Sequence, residues 1–179
     1  MTHTGNVYGE ALYALACDEG LSQEILQELT VLEESFSQEP EFLRLLDAPN
    51  LPKAERCQIL DDSFRGKLQP YLLNFLKILA EKSCVRHFGD CCTAYRTRYN
   101  EDHGILPVTA VSAISLSASQ CAALTEKLTD LTGKTIQLHN RVDPAVLGGI
   151  RLDYHGIRMD DTVAHRLDAI RAMLKDTVL

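Results

Sequence analysis

The stretch that decides the fold is Val142-Asp143-Pro144-Ala145-Val146-Leu147-Gly148-Gly149-Ile150-Arg151-Leu152-Asp153-Tyr154-His155-Gly156-Ile157-Arg158-Met159-Asp160-Asp161-Thr162. Asp143-Pro144 reads as a turn, because proline fixes its own φ and drives the residue before it out of the helical region. Gly148-Gly149 supplies positive φ, or room for close backbone approach, just before a strand. Ile150, Leu152 and Tyr154 alternate with Arg151, Asp153 and His155, the period of a half-buried strand. His155-Gly156 suits a tight hairpin turn, and Ile157 and Met159 alternate with Arg158 and Asp160 in the return strand. Asp161 or Thr162 then caps a final helix, whose Val163, Leu167, Ile170 and Leu174 recur at helical spacing. The stretch encodes a small rigid hairpin docked on a helix, and nothing in it is laid out as a catalytic centre.

Working back from it, the same short period continues. Val108, Ala110 and Ser112 alternate with Thr109, Val111 and Ala113, which predicts a strand. Ser117 and Gln120 have the spacing of a capping box, with Leu116 and Cys121 placed for a hydrophobic staple. Cys121, Leu124, Leu128 and Leu131 line the helix that follows, and Gly133 ends it. Thr135 to His139 reads as a second strand. The order is strand, helix, strand, hairpin, helix.

Residues 1–104 have the other period. Thr4 or Asn6 would cap a first helix with Val7, Tyr8, Ala11, Leu12, Leu15 and Ala16 on one face. Ser22 would cap a second, lined by Ile25, Leu26, Leu29, Leu32 and Phe36. Pro40 precedes a short third, and Pro49 and Pro52 force a turn before a fourth. Pro70 suits the first turn of a fifth, apolar nearly all round from Tyr71 to Leu79, as befits the centre of a bundle. A sixth runs from about Cys84 to Asp102. The expected fold is α+β: an N-terminal six-helix bundle, residues 1–104, then a small C-terminal α/β domain with a β-hairpin, residues 105–179. Residues 103–107 form the boundary.

Composition narrows the function. The first 104 residues hold 10 Lys and Arg against 17 Asp and Glu, while residues 105–179 hold 8 of each. An acidic domain is a poor partner for nucleic acid, which needs clustered Lys and Arg, and suits a basic protein partner better. No apolar run reaches a membrane span, and the N-terminus resembles neither an export signal nor an Arg-rich transit peptide. The chain is therefore expected to stay in the compartment where it is made, with no direct membrane insertion. Its six cysteines, scattered from Cys17 to Cys121, read as reduced thiols used as small apolar residues.

Three constellations invite chemistry. Thr132-Gly133-Lys134-Thr135 has the end of a phosphate-binding loop, but position 128 is Leu where that motif needs Gly, and a helix precedes it where a strand should. Cys84, His87, Cys91 and Cys92 invite a metal reading, and the first three would lie within one face of a helix, yet no second cluster completes a tetrahedral site. His155, Asp160, Asp161 and His165 lack a nucleophile or oxyanion loop and read as helix-start pairing. The expectation is no catalytic residue, no cofactor and no metal.

The opening stretch closely resembles the C-terminal signature of the delta subunit of F-type ATP synthases, the family of the mitochondrial oligomycin-sensitivity-conferring protein. The family's Val-Asp-Pro turn, small apolar pair, Gly-Gly, strand, Gly turn, second strand ending in Asp and Leu-rich helix fall on Val142, Asp143, Pro144, Val146, Leu147, Gly148, Gly149, Gly156, Asp161, Leu167 and Leu174. Thr162 stands where the family often has Ser. Tyr8, Ala11, Leu12, Leu15 and Ala16, Leu73-Asn74-Phe75-Leu76 with Leu79, Val111-Ser112-Ala113 with Leu116, and Gly133-Lys134 extend the likeness over almost the whole chain.

The resemblance implies a non-catalytic stator subunit of a proton-translocating rotary ATP synthase, linking the catalytic head to the peripheral stalk. The N-terminal domain would hold the amphipathic N-terminal helix of an alpha subunit, with Tyr8, Ala11, Leu12, Leu15, Phe75, Leu76 and Leu79 as candidate contacts. The C-terminal domain would bind the b subunits. The protein would sit, within the complex, at the cytoplasmic face of a bacterial cell membrane. Two other readings stand beside this one: an autonomous helical adaptor, and a thiol or metal sensor using Cys84, Cys91 and Cys92.

Overall fold

The computed structural model describes residues 3–48, 50–146, 148–154 and 157–160. The chain divides into two compact units, 1–99 and 100–179. The fold is α+β: six helices packed together, then a helix and a four-stranded mixed sheet.

The helices are α1 (His3–Asp18), α2 (Ser22–Gln38), α3 (Pro40–Asp47), α4 (Lys53–Phe64), α5 (Pro70–Glu81) and α6 (Phe88–Asp102). Pro40 and Pro70 each occupy the first turn of their helix, where the missing N–H costs nothing. Three starts differ from the sequence reading. Helix α1 is already under way at His3, so Thr4 and Asn6 are interior to it. Leu21, not Ser22, holds the cap position of α2, and its carbonyl accepts from the Ile25 N–H at 3.0 Å. The sixth helix begins at Phe88, because Val85–His87 form a separate 3-10 turn. That offset arises at Ser83, whose φ of 53° closes α5 while Cys84 N–H donates to Leu79 O at 2.8 Å.

One continuous core runs through these helices, including Leu12, Ile25, Leu29, Leu60, Leu72, Leu79 and Tyr95. Phe36 stacks on Phe42 and meets Phe64 and Phe88 edge-on, with centroids 5.1 to 6.2 Å apart. Tyr95 packs edge-on against Tyr13 at 5.2 Å and donates its hydroxyl to Ser22 O at 2.8 Å. Helix α1 seats on α6 through Gly9. A Cβ there would lie 2.4 Å from Cys91 O and 2.8 Å from Ala94 Cβ. The two backbones therefore approach more closely than any side chain allows.

In the second unit, β1 (Ile105–Ser112), α7 (Ala118–Thr132) and β2 (Thr135–Val142) form a parallel crossover. After a 3-10 turn, Pro144–Val146, β3 (Ile150–Tyr154) and β4 (Ile157–Asp160) complete the order β2-β1-β3-β4. Strand β1 starts at Ile105, so part of the expected boundary segment is sheet, and Pro107 lies within a strand. Gly104 O and Ser112 O accept from Thr135 and Asp143 N–H, which turns the even residues of β1 toward β2. Pro107 faces the other way, and β3 pairs with β1 only from Thr109 onward. Its missing donor therefore breaks no ladder bond.

Leu106, Val108 and Ile136 form a small second core, with Leu128, Leu138, Leu152 and Tyr154 packed against it. Leu131, the last residue of the expected apolar stripe of α7, is 83% exposed. The capping box is present: Gln120 N–H donates to Ser117 Oγ at 3.3 Å, and Ser117 N–H to Gln120 Oε1 at 2.9 Å. Replacing Ser117 by Ala is expected to lower stability by about 1 kcal/mol, read as a lower urea midpoint. Gly133 ends the helix, its N–H donating to Thr129 O.

The opening turn holds as read. Asp143 Oδ1 accepts from Ala145 N–H at 3.0 Å, Pro144 starts the 3-10 turn, and Gly149 has φ 82°. Strand β3 departs from simple alternation, for all five of its residues are half-buried. Its polar face is covered by charge pairs: Arg158 Nε is 3.0 Å and Arg151 Nε 3.4 Å from Asp153. Met159 is 55% exposed. Tyr154 pairs with Ile157, which leaves a two-residue connection. That connection, His155-Gly156, lies outside the described residues, as do Leu147, Asp161 and the segment expected to form a final helix.

Candidate partner-binding site

The sequence candidates on α1 and α5 separate cleanly by burial. Leu12, Phe75, Leu76 and Leu79 are 0 to 6% exposed and belong to the core. Tyr8 is half-buried, while Ala11 is exposed and Leu15 is 39% exposed. Positions 8, 11 and 15 share one stripe of α1, because residues three and four apart are helix neighbours. On α5 the corresponding stripe is Tyr71, Asn74 and Ile78, of which Asn74 is exposed and Ile78 is 45% exposed. Ile78 is missing from the sequence candidates. Its signal was Asn74, four residues earlier, a polar side chain that marks the outer side of an otherwise apolar helix.

The two helices are neighbours. Tyr71 bonds to Glu19, just beyond the end of α1, and this hydrogen bond raises the pKa of its phenol. Glu10, Asp18, Glu19 and Glu81 are all exposed. Along its other side α5 is fastened to α4: Lys77 Nζ lies 2.6 Å from Asp61 Oδ1, and the Cys57 thiol donates to Glu81 Oε1 at 3.7 Å. The Lys77 hydrogen bond holds the Asp61 carboxyl below its ordinary range.

Gly133 is a left-handed helix cap at φ 67°, with Lys134 entering β2 behind it, so no backbone cradle opens a helix there. Among the described residues no three His, Cys, Asp or Glu converge as ligands would. His87 sits 3.9 Å from Asp90, and Cys84 donates its thiol to Lys82 O at 3.4 Å. His155, Asp161 and His165 lie outside the described residues.

All six cysteines are free thiols, and Cys91 and Cys92 are buried. Burial, then the charge of Asp90, pushes Cys91 up to about 11 from an ordinary 9.0. Cys92 and the Tyr95 phenol move the same way, chiefly through burial. A raised folded-state pKa gives stability that is complete below the unfolded value and lost as pH climbs through the folded one. The Cys91 contribution should therefore be flat below pH 9 and decline between 9 and about 11. Urea midpoints across that range check it, with a constant midpoint as the contrary result.

Comparison with known proteins follows the fold. The sequence profile described as ATP synthase delta (OSCP) subunit matches residues 5–174. The chain is 27% identical over 174 residues to ATP synthase subunit delta of Clostridioides difficile, covering 97% of this chain and 96% of that one. It is 30% identical over 168 residues to the protein of the same name from Lacticaseibacillus casei, covering 93% and 92%. With that of Gloeobacter violaceus it shares 32% over 145 residues, covering 80% and 78%. A chain in the cryo-EM structure of the Toxoplasma gondii mitochondrial ATP synthase hexamer has the same fold, at TM-score 0.76 and 17% identity, covering 97% of this chain and 98% of that one. Among the described residues no helix is long and apolar enough to cross a membrane. The match spans both units, which a free-standing helical adaptor with a chance C-terminal likeness would not give. The chain belongs to the ATP synthase delta (OSCP) subunit family, and it is a non-catalytic stator subunit of an ATP synthase.

Proposed function

We propose that the N-terminal unit binds the catalytic head by receiving the amphipathic N-terminal helix of an alpha subunit along α1 and α5, and that the C-terminal unit binds the b subunits of the peripheral stalk. The observation that carries the first half is the split within the candidates. Leu12, Phe75, Leu76 and Leu79 build the floor, while Tyr8, Ala11 and Leu15, joined by Ile78, keep apolar surface outside. Such partly exposed apolar side chains on adjacent helices suit helix-in-groove recognition. The acidic rim of Glu10, Asp18, Glu19 and Glu81 suits a partner helix with basic residues at its edges. No reactive group is required, since a stator resists torque through tight binding and stiffness. In a bacterial enzyme such a subunit sits at the cytoplasmic face of the membrane, peripheral to it and held by its partners.

Calorimetry of the full chain with a synthetic alpha-subunit N-terminal helix tests this reading. Apolar anchors supply most of the affinity in such grooves, and rim charges mainly speed association. Binding should therefore survive about 0.5 M salt with only modest weakening, since exposed charges are then screened within a few ångströms. Absence of binding by the folded chain would overturn it.

A further inference from the structure

We propose that Arg56 is a positioning residue for the head-binding face: its guanidinium fixes the last turn of α5 and so the setting of Ile78. The proposal rests on the reading of α1 and α5 as partner-binding helices. Arg56 is 4% exposed, although it sits in α4, whose composition is that of a surface helix. Nε donates to Leu51 O at 3.0 Å, and Nη2 to Ala48 O at 2.7 Å. Nη1 donates to Ala80 O at 3.2 Å and to Ser83 Oγ at 3.0 Å. All four acceptors are neutral.

A buried cation without a carboxylate is costly unless its surroundings carry compensating negative charge. Here the compensation comes from helix ends. Ala48 caps the C-terminus of α3, and Ala80 lies in the last turn of α5. Carbonyls at helix C-termini lack intrahelical partners and carry the negative end of the helix dipole. One guanidinium thus serves two helix ends and the α3–α4 turn together. It also grips Ser83, which holds a left-handed φ of 53° that glycine would adopt more readily. The same seam carries the Lys77–Asp61 and Cys57–Glu81 contacts. Helix α4 therefore braces one side of α5 while Asn74 and Ile78 stay exposed on another. Lysine keeps the charge but has a single nitrogen, which cannot span three chain segments as the forked guanidinium does.

The test compares Arg56→Lys with Tyr95→Phe, which removes the hydrogen bond to Ser22 O in the same core and involves none of the clamped segments, each in the full chain. Amide exchange is read over residues 78–84 and affinity for the synthetic alpha-subunit helix is measured where both variants are folded by circular dichroism. Arg56→Lys should speed exchange at Lys82 and Cys84 and weaken affinity, each by about tenfold, as loss of charged hydrogen bonds implies. Tyr95→Phe should lower the melting temperature and leave both readouts at wild-type values. Affinities that fall in step with melting temperature in both variants would overturn the proposal, as would wild-type exchange in Arg56→Lys. Should Arg56→Lys not fold, Ser83→Ala removes one acceptor at an exposed position, and unchanged exchange there would be equally contrary. If the wild-type chain fails to bind the peptide, the reading of the site falls, while the exchange measurement still decides whether Arg56 fixes the end of α5.

Discussion

Replacing Gly9 by Leu should destabilise the chain by about 3 kcal/mol or more, read as a large fall in its urea midpoint. The reason is the contact between α1 and α6. A Cβ at Gly9 would meet the Cys91 carbonyl oxygen at 2.4 Å, and that atom is backbone, so no side-chain rotation relieves the clash. The helices would have to separate, which loosens the Tyr13–Tyr95 contact and the Tyr95 hydrogen bond to Ser22. Even Gly9→Ala should be destabilising, although alanine is favoured over glycine in a helix interior by about 1 kcal/mol. Gly89 in α6 supplies the control. A Cβ there meets nothing within 4 Å, so Gly89→Ala should be neutral or stabilising by up to about 1 kcal/mol. Urea unfolding followed by circular dichroism measures all three, and a Gly9→Leu midpoint equal to wild type would refute the packing described for α1.

The second large effect concerns binding. Changing Leu15 and Ile78 together to Asp should weaken affinity for the alpha-subunit helix by about a hundredfold or more, since truncation of a single hot-spot anchor costs roughly 1–3 kcal/mol. Both residues keep 39% or more of their surface exposed, so the fold should survive with a nearly unchanged melting temperature. Leu76→Ala or Leu79→Ala should do the opposite. These side chains are at most 2% exposed, and their truncation should cost about 2–5 kcal/mol of folding stability. Calorimetry and thermal melts on the same variants separate the two classes. If the Leu15 and Ile78 change leaves affinity intact in a folded chain, the partner does not lie on these stripes.

Much of this architecture was legible because local signals agreed. Helical periodicity, the prolines at the starts of α3 and α5, the Ser117–Gln120 box and Gly133 all lie where the sequence places them. What escaped was decided by tertiary context. Pro107 hid the start of β1, because only the sheet order reveals that its nitrogen faces a stretch without a ladder partner. Ser83 was silent because a left-handed residue without glycine gives no sequence signal. Arg56 reads as a solvated charge in any helical pattern, and only the convergence of two helix ends makes it interior. Periodicity could not divide the candidate contacts either. Helix α5 is apolar on most sides, so Leu76 and Ile78 look alike until neighbouring helices bury one and leave the other out.

The central claim is that this chain links head to stalk without taking part in catalysis. Reconstitution tests it most directly: ATP-driven proton pumping is measured in membranes carrying the stalk and rotor, after adding purified head with and without the full chain. The account predicts that pumping requires the chain, while ATP hydrolysis by the free head is the same in its presence and absence. Full pumping without the chain, or a hydrolysis rate that depends on it in the free head, would contradict the account.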